Sequence, residues 1–178
     1  VLFMSIRRFE SIAPTLADSV YVDSAATVIG DVVIGEESSI WPMAVIRGDV
    51  NTIRIGERTS IQDGAIIHAT HAGPFTGEGF GTEIGSDVTV GHQAVIHGCV
   101  IHDRVLVGMG AKVLDGAVIE SDVMIGAGSL VSPGKCLESG YLYFGSPVKK
   151  VRVLTEKERE FLSYTSSHYV KLATRYRP

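Results

Sequence analysis

The sequence predicts an all-β fold, a parallel β-helix of hexapeptide repeats in which three short strands close one triangular coil, followed by a C-terminal α-helix. Three observations predict it: an aliphatic residue that returns every six positions, 20 glycines in a Val- and Ile-rich chain of 178 residues, and a change to helical spacing after Pro147. The frame runs Val22, Val28, Ile34, Ile40, Ile46, resumes at Ile55, Ile61, Ile67 and at Ile84, Val90, Ile96, then continues by sixes from Ile101 to Leu137. The next position is often glycine (Gly35, Gly56, Gly85, Gly108), and the position at i+4 is small or β-branched (Ala44, Ala65, Ala94, Ala111). One inward aliphatic per strand and a small residue at each crowded corner are what a solenoid of short strands requires. A β-sandwich would alternate every two residues and return by hairpins, which this frame does not.

Eighteen residues should therefore bring the chain back to the same face. The organisation reads as an N-terminal arm over 1–19, the β-helix over 20–147 and a C-terminal helical segment over 148–178; Val1-Leu2-Phe3 ahead of Met4 is left out of the fold reading as a remnant or an alternative start. Thr155 followed by Glu158 is a capping box, and Phe161, Leu162, Thr165, Tyr169, Leu172, Ala173 and Tyr176 recur at helical spacing, which predicts a helix packed along the outside of the coils or onto a neighbour. Three breaks interrupt the frame: three extra residues between Ile46 and Ile55, eleven between Ile67 and Ile84, and a step one residue short between Ile96 and Ile101. The second break, Ala72 to Thr82, is glycine-rich and predicts a protruding loop. Trp41-Pro42 is expected at a corner or a subunit contact.

Composition narrows the function. With 16 Lys and Arg against 20 Asp and Glu, a formal charge of −4, the chain lacks the cationic surface that phosphate backbones demand, so no nucleic-acid partner is expected. No apolar run reaches the roughly 20 residues of a membrane span and no signal-peptide pattern opens the chain; two cysteines are too few for a disulfide scaffold, so a reducing, cytoplasmic setting is expected. Cys99 and Cys136 fall in different columns of the repeat, which predicts two buried free thiols rather than a disulfide.

The histidines carry the chemistry. His68 and His97 each follow an inward isoleucine, and their separation of twenty-nine, less the eleven-residue loop, is one coil. They should stack with backbones about 4.8 Å apart, close enough to share an ion at about 2.0–2.1 Å per Zn–N bond. His92 belongs to another face. A threefold axis would set that face against the His68–His97 column of the next subunit, giving a site built from two chains and three copies per trimer. Counting by coils places Arg47 above His68 and Asp63 above His92, so the two would meet across the interface as an ion pair, with Gln62 and Asp49 beside them. His71 is a loop anchor or a pocket residue, and His102 and His168 are ordinary surface residues.

The stretches Ile46-Arg47-Gly48-Asp49, Ile61-Gln62-Asp63-Gly64 with His68, and Gly91-His92-Gln93-Ala94-Val95-Ile96-His97-Gly98 resemble the gamma-class carbonic anhydrase family, and within it the bacterial YrdA/PaaY branch, over almost the whole chain. The resemblance implies a left-handed helix and a homotrimer. It also implies zinc held by His68, His92 and His97, a subunit bridge between Arg47 and Asp63, and Gln62 orienting the attacking water, with Asp49 or Arg47 ordering the polar shell. Three neutral imidazoles leave a coordination position open, and Zn²⁺ lowers the pKa of water there to about 7. Imidazole donors suit iron and cobalt as well. This chain departs from the family at Val50 and His71, where studied members carry Glu, and its loop offers only Glu78 and Glu83. His71 is then the substitute proton shuttle, and Tyr143 and Tyr169 are pocket candidates. Competing expectations are an acyl-CoA thioesterase on the same metal site, a metal-free hexapeptide acyltransferase, and a non-enzymatic binding trimer.

Overall fold

The computed structural model describes residues 5–177; Val1-Leu2-Phe3 lies outside them. It is a parallel β-solenoid of about eight turns with one C-terminal helix. The six-residue frame dictates the stacking. On one face Val28, Ile46, Ile67, Ile96, Val113 and Val131 pair in register down the coils, each fully buried. A second face stacks Ile34, Ile55, Ile84, Ile101, Ile119 and Leu137. The third stacks Val22, Ile40, Ile61, Val90, Val107, Ile125 and Tyr143. Three inward ladders form one apolar column, and the small or β-branched residues at the corners (Ala44, Ala65, Ala94, Ala111, with Val88, Val105 and Val123) are buried in the close packing between adjacent ladders.

Two long strands, Thr27–Ile34 and Val45–Ile55, run through a corner and join two of the faces into one twelve-stranded sheet; the third face is a separate eight-stranded sheet. Stacking begins early, since Ile6–Arg7 and Thr15–Leu16 both pair with Thr27–Ile34. It ends with a reversal: Val148–Val153 pairs antiparallel to Tyr141–Gly145 before the helix Glu156–Tyr176 begins. The predicted capping box is formed, with Glu158 N–H donating to Thr155 Oγ1 and Thr155 N–H to the Glu158 carboxylate at 2.8 Å.

The helix lies along the eight-stranded face, burying Leu162, Thr165, Ser166 and Ala173. Phe161 and Tyr176 of the predicted stripe stay largely exposed, although the Tyr176 ring meets Trp41 edge-on at 5.3 Å. Trp41 is buried at a corner, its indole N–H shared between Ser39 Oγ at 3.0 Å and Ser60 Oγ at 2.9 Å. Ser166 Oγ reaches Asp87, which also takes a two-pronged bond from Arg58 at 2.8 and 2.9 Å. Arg58 lowers the pKa of the Asp87 carboxyl against the opposing effect of burial. The cysteine expectation is half corrected. Cys99 is buried, and burial pushes its thiol up to about 12. Cys136 is exposed, because it directly precedes inward Leu137 and alternation along a strand turns it outward.

Gly56 stacks on Gly85, and a Cβ there would sit 2.6 Å from the Gly85 carbonyl carbon. Denaturant unfolding should show Gly56→Ala destabilised by about 1–3 kcal/mol through overpacking. Ile61→Ala, which empties a fully buried site, should cost about 2–5 kcal/mol. Glu158 is drawn from 4.5 to about 2, first by Arg152 and then by the Thr155 N–H. A folded-state pKa below the unfolded one stabilises above the unfolded value. Its benefit over Glu158→Gln, read from thermal midpoints, should therefore be complete above pH 4.5 and vanish as pH falls from 4.5 towards about 2.

Candidate metal centre

The site is built where the frame breaks. The three extra residues after Ile46 form a bulge: Gly30 pairs with Gly48 and Val32 with Ile53, so Asp31 alone faces the four residues Asp49–Thr52. The bulge swings the Asp49 carboxylate onto His68, with Oδ1 at 3.0 Å from Nε2 and Oδ2 at 2.5 Å from Arg47 Nη1. Asp49 is largely buried, which favours its neutral acid, yet the hydrogen bonds from Arg47 and His68 outweigh that and hold its carboxyl below the usual range. Asn51 in the same bulge donates to the Thr70 carbonyl at 3.1 Å, tying the bulge to the base of the loop.

His68 ends the strand Ile66–His68, and His97 ends Val95–His97; the two are direct partners in the parallel ladder. Their ring centroids lie 5.1 Å apart, and His68 Nδ1 faces His97 Nε2 at 3.1 Å. The one-coil register read from the sequence is therefore present. Burial pushes the His68 pKa below its ordinary value, helped by the charge of Arg47 and opposed by the bond to Asp49. His97 turns its other nitrogen to Asp115, Nδ1 to Oδ1 at 2.6 Å, while Thr70 Oγ1 donates to Asp115 Oδ2 at 2.6 Å. Sequence reasoning missed Asp115 and Thr70. The signal was Asp115's position one coil after His97, blurred by the short step that puts Leu114, rather than Asp115, in the ladder position beneath the histidine.

His92 stands apart, after the strand Thr89–Val90 of the eight-stranded sheet, and is about half exposed. Its Nδ1 pairs with Asp63 Oδ2 at 2.9 Å, the carboxylate one coil above it. Among the described residues, no group of three His, Cys, Asp or Glu side chains in one chain forms a complete cation site. Gln62 is buried beside His92, in the wall of a cavity of about 390 Å³ between the helix and the eight-stranded sheet. Tyr169 lines the same cavity, its phenol pKa raised by burial and then by the charge of Asp63.

Other predicted residues are placed differently. Arg47 and Asp63 lie on different faces and, within one chain, pair with Asp49 and His92 rather than with each other. Tyr143 is corrected: it occupies the inward column beneath Ile125, is buried, and its hydroxyl accepts from the Glu138 N–H at 2.9 Å, which makes it a core residue closing the last coil. His71 is exposed at the foot of the loop, its ring beside Gly73 and its carbonyl accepting from Thr76 Oγ1 at 2.7 Å. Thr82 belongs to the strand Thr82–Ile84 rather than to the loop, which is pinned by Thr70 bridging Phe80.

The His68–His97 pair suits a divalent metal. Two ligands each about 2.0–2.1 Å from one tetrahedral ion lie roughly 3.3 Å apart, close to the 3.1 Å between the facing nitrogens. The opposite nitrogen of each ring is held by a carboxylate, as in protein metal sites generally.

Fold and site together define a hexapeptide-repeat solenoid carrying paired imidazoles on one face. The model for bacterial transferase hexapeptide repeats matches residues 98–133. Over 171 residues the chain is 50% identical to Protein YrdA of Escherichia coli K12, covering 96% of this chain and 93% of that protein. It is 45% identical over 161 residues to gamma carbonic anhydrase 2, mitochondrial, of Arabidopsis thaliana, covering 90% of this chain and 58% of that one. A solved hexapeptide transferase family protein from Anaplasma phagocytophilum superposes with a TM-score of 0.89 at 36% identity, over 97% of this chain and 98% of that one. The chain belongs to the gamma carbonic anhydrase family of hexapeptide-repeat proteins.

Proposed function

We propose that this protein is a zinc-dependent carbonic anhydrase of gamma type that hydrates CO₂ reversibly at sites shared between subunits of a homotrimer. The observation that carries the reading is the pair of imidazole nitrogens facing each other at 3.1 Å, with the third histidine on another face of the same chain. His68 and His97 of one subunit and His92 of its neighbour hold the ion; zinc suits these donors, as do iron and cobalt. When bound, the ion supplies the Lewis acidity that makes water nucleophilic near neutral pH.

The chain's own residues do the rest. Asp49 accepts the His68 Nε2 proton and is itself held by Arg47, so the ring is fixed in the orientation that presents Nδ1. Asp63 steadies His92 in the same way. The Gln62 amide, buried beside His92, orients the attacking water towards CO₂. Hydration releases one proton as bicarbonate forms, and exposed His71 at the foot of the loop passes it to solvent. Arg47 and Asp63 are each part-exposed and retain hydrogen-bonding capacity beyond their partners within the chain, so both are free to bridge subunits.

A second reading, hydrolysis of an acyl thioester at the same centre, draws support from the apolar walls of the cavity beside His92, formed by Leu106, Met124, Leu142 and Phe161. Turnover of an acyl-CoA panel with no CO₂ hydration would favour it.

The shared site is tested by complementation. His92→Ala and His68→Ala chains should each be inactive in CO₂ hydration. Unfolded together and reassembled at equal amounts, they should regain about a quarter of wild-type activity, because in a closed trimer that fraction of interfaces joins the two intact halves. A site contained within one chain would regain none.

A further inference from the structure

We infer that Asp115, held by Thr70, is the positioning residue that keeps His97 in its Nδ1–H tautomer and leaves Nε2 as the lone pair offered to the metal. This rests on the metal-site reading above. A neutral imidazole has one N–H and one lone pair, and an ionised carboxylate can only accept. With Asp115 Oδ1 at 2.6 Å from His97 Nδ1, the ring proton belongs on Nδ1 and the lone pair on Nε2. Asp115 has little freedom to turn away, since Thr70 Oγ1 holds its second oxygen at 2.6 Å.

The opposing ring shows why this matters. Asp49 claims the proton on His68 Nε2, so His68 Nδ1 is also a lone pair, and it faces His97 Nε2 at 3.1 Å. Two neutral rings could relax into an ordinary histidine–histidine hydrogen bond only if one changed tautomer, and each change would cost a carboxylate bond. Asp49 and Asp115 therefore hold two lone pairs towards one point, an arrangement that a cation satisfies and a neutral hydrogen bond does not.

Backbone design admits Asp115 to the site. The short step after Ile96 places Leu114 in the ladder beneath His97 and Asp115 next along, beneath Gly98. Gly98 has φ +58°, and a Cβ on it would lie 2.6 Å from Asp115 Oδ1. The carboxylate rises into the space that the missing side chain leaves. Thr70, in turn, is set by its paired backbone bonds to Phe80 across the base of the loop.

The experiment uses the full chain labelled with ¹⁵N-histidine, metal-free, above the ordinary histidine pKa, and reads tautomers from two-bond ¹⁵N–¹H correlations. Wild-type His97 should be the Nδ1–H form, and Asp115→Asn should mix or invert it. Zn²⁺ and Co²⁺ affinities, measured by chelator competition, should fall about 10–100-fold in Asp115→Asn. Gly98→Ala, whose Cβ would crowd the Asp115 carboxylate while leaving all the histidines in the sequence, should reproduce both effects, and Thr70→Val should give a smaller loss in the same direction. An Nε2–H tautomer at wild-type His97, or unchanged affinity in both Asp115→Asn and Gly98→Ala, would overturn the assignment. If wild type binds neither ion, the metal reading fails by itself, while the tautomer of the metal-free protein still decides the role of Asp115. Should Asp115→Asn not fold, Thr70→Val, which leaves the carboxylate in place, carries the same test.

Discussion

The hydrogen-bonded stacking of each coil on the one before it governs everything else in this molecule. In a regular solenoid every residue is locked opposite the residue one coil away, and the inward ladders leave no slack, as the fully buried Ile46, Ile67 and Ile96 show. Where the coil is interrupted, a side chain is freed to reach a partner off its own ladder. The candidate centre draws on all three interruptions at once. Asp49 comes from the bulge, His68 and Thr70 precede the loop, and His97 and Gly98 open the short step. Natural sequences break local regularity where function needs it, and here the breaks converge on one face.

That constraint explains what could be read in advance. A strict repeat turns counting into geometry, so the ladder and the His68–His97 pair followed from residue numbers alone. The interruptions cannot be counted through in the same way. Asp115 escaped because a single missing residue shifts the ladder by one place, and because its partnership with His97 depends on a glycine whose absent Cβ makes room. Tyr143 was misplaced for a different reason. The six-residue frame is followed only to Leu137, so the next inward position, which Tyr143 fills beneath Ile125, is not read as core. Cys136 followed strand alternation rather than the general tendency of free thiols to be buried.

The C-terminal helix links the end of the chain to the third histidine. Its buried side rests on the eight-stranded sheet, and Trp41 gathers Tyr21, Tyr169 and Tyr176 around it at centroid distances of 5.3 to 5.8 Å. Tyr169 thereby becomes one wall of the cavity that contains Gln62 and His92. Ser166 bonds Asp87, a carboxylate already fixed by Arg58, so the helix has a polar register as well as an apolar one. Among the described residues no helix is long and apolar enough to cross a membrane; the buried side of this one, Leu162, Thr165, Ser166 and Ala173, rests on the solenoid.

Dividing the donors between two faces has a thermodynamic consequence under the proposed assembly. Two imidazoles on one face make half a site, and His92 with Asp63 makes the other half; neither half gains the third nitrogen until a second copy arrives. An ion that binds the assembled form more tightly than the separate chain must, by linkage, stabilise that assembly to the same degree. The carboxylates belong to the same balance. By holding His68 and His97 with their lone pairs turned together before any ion arrives, Asp49 and Asp115 meet the cost of orientation during folding, so more of the metal's binding energy remains for joining the subunits.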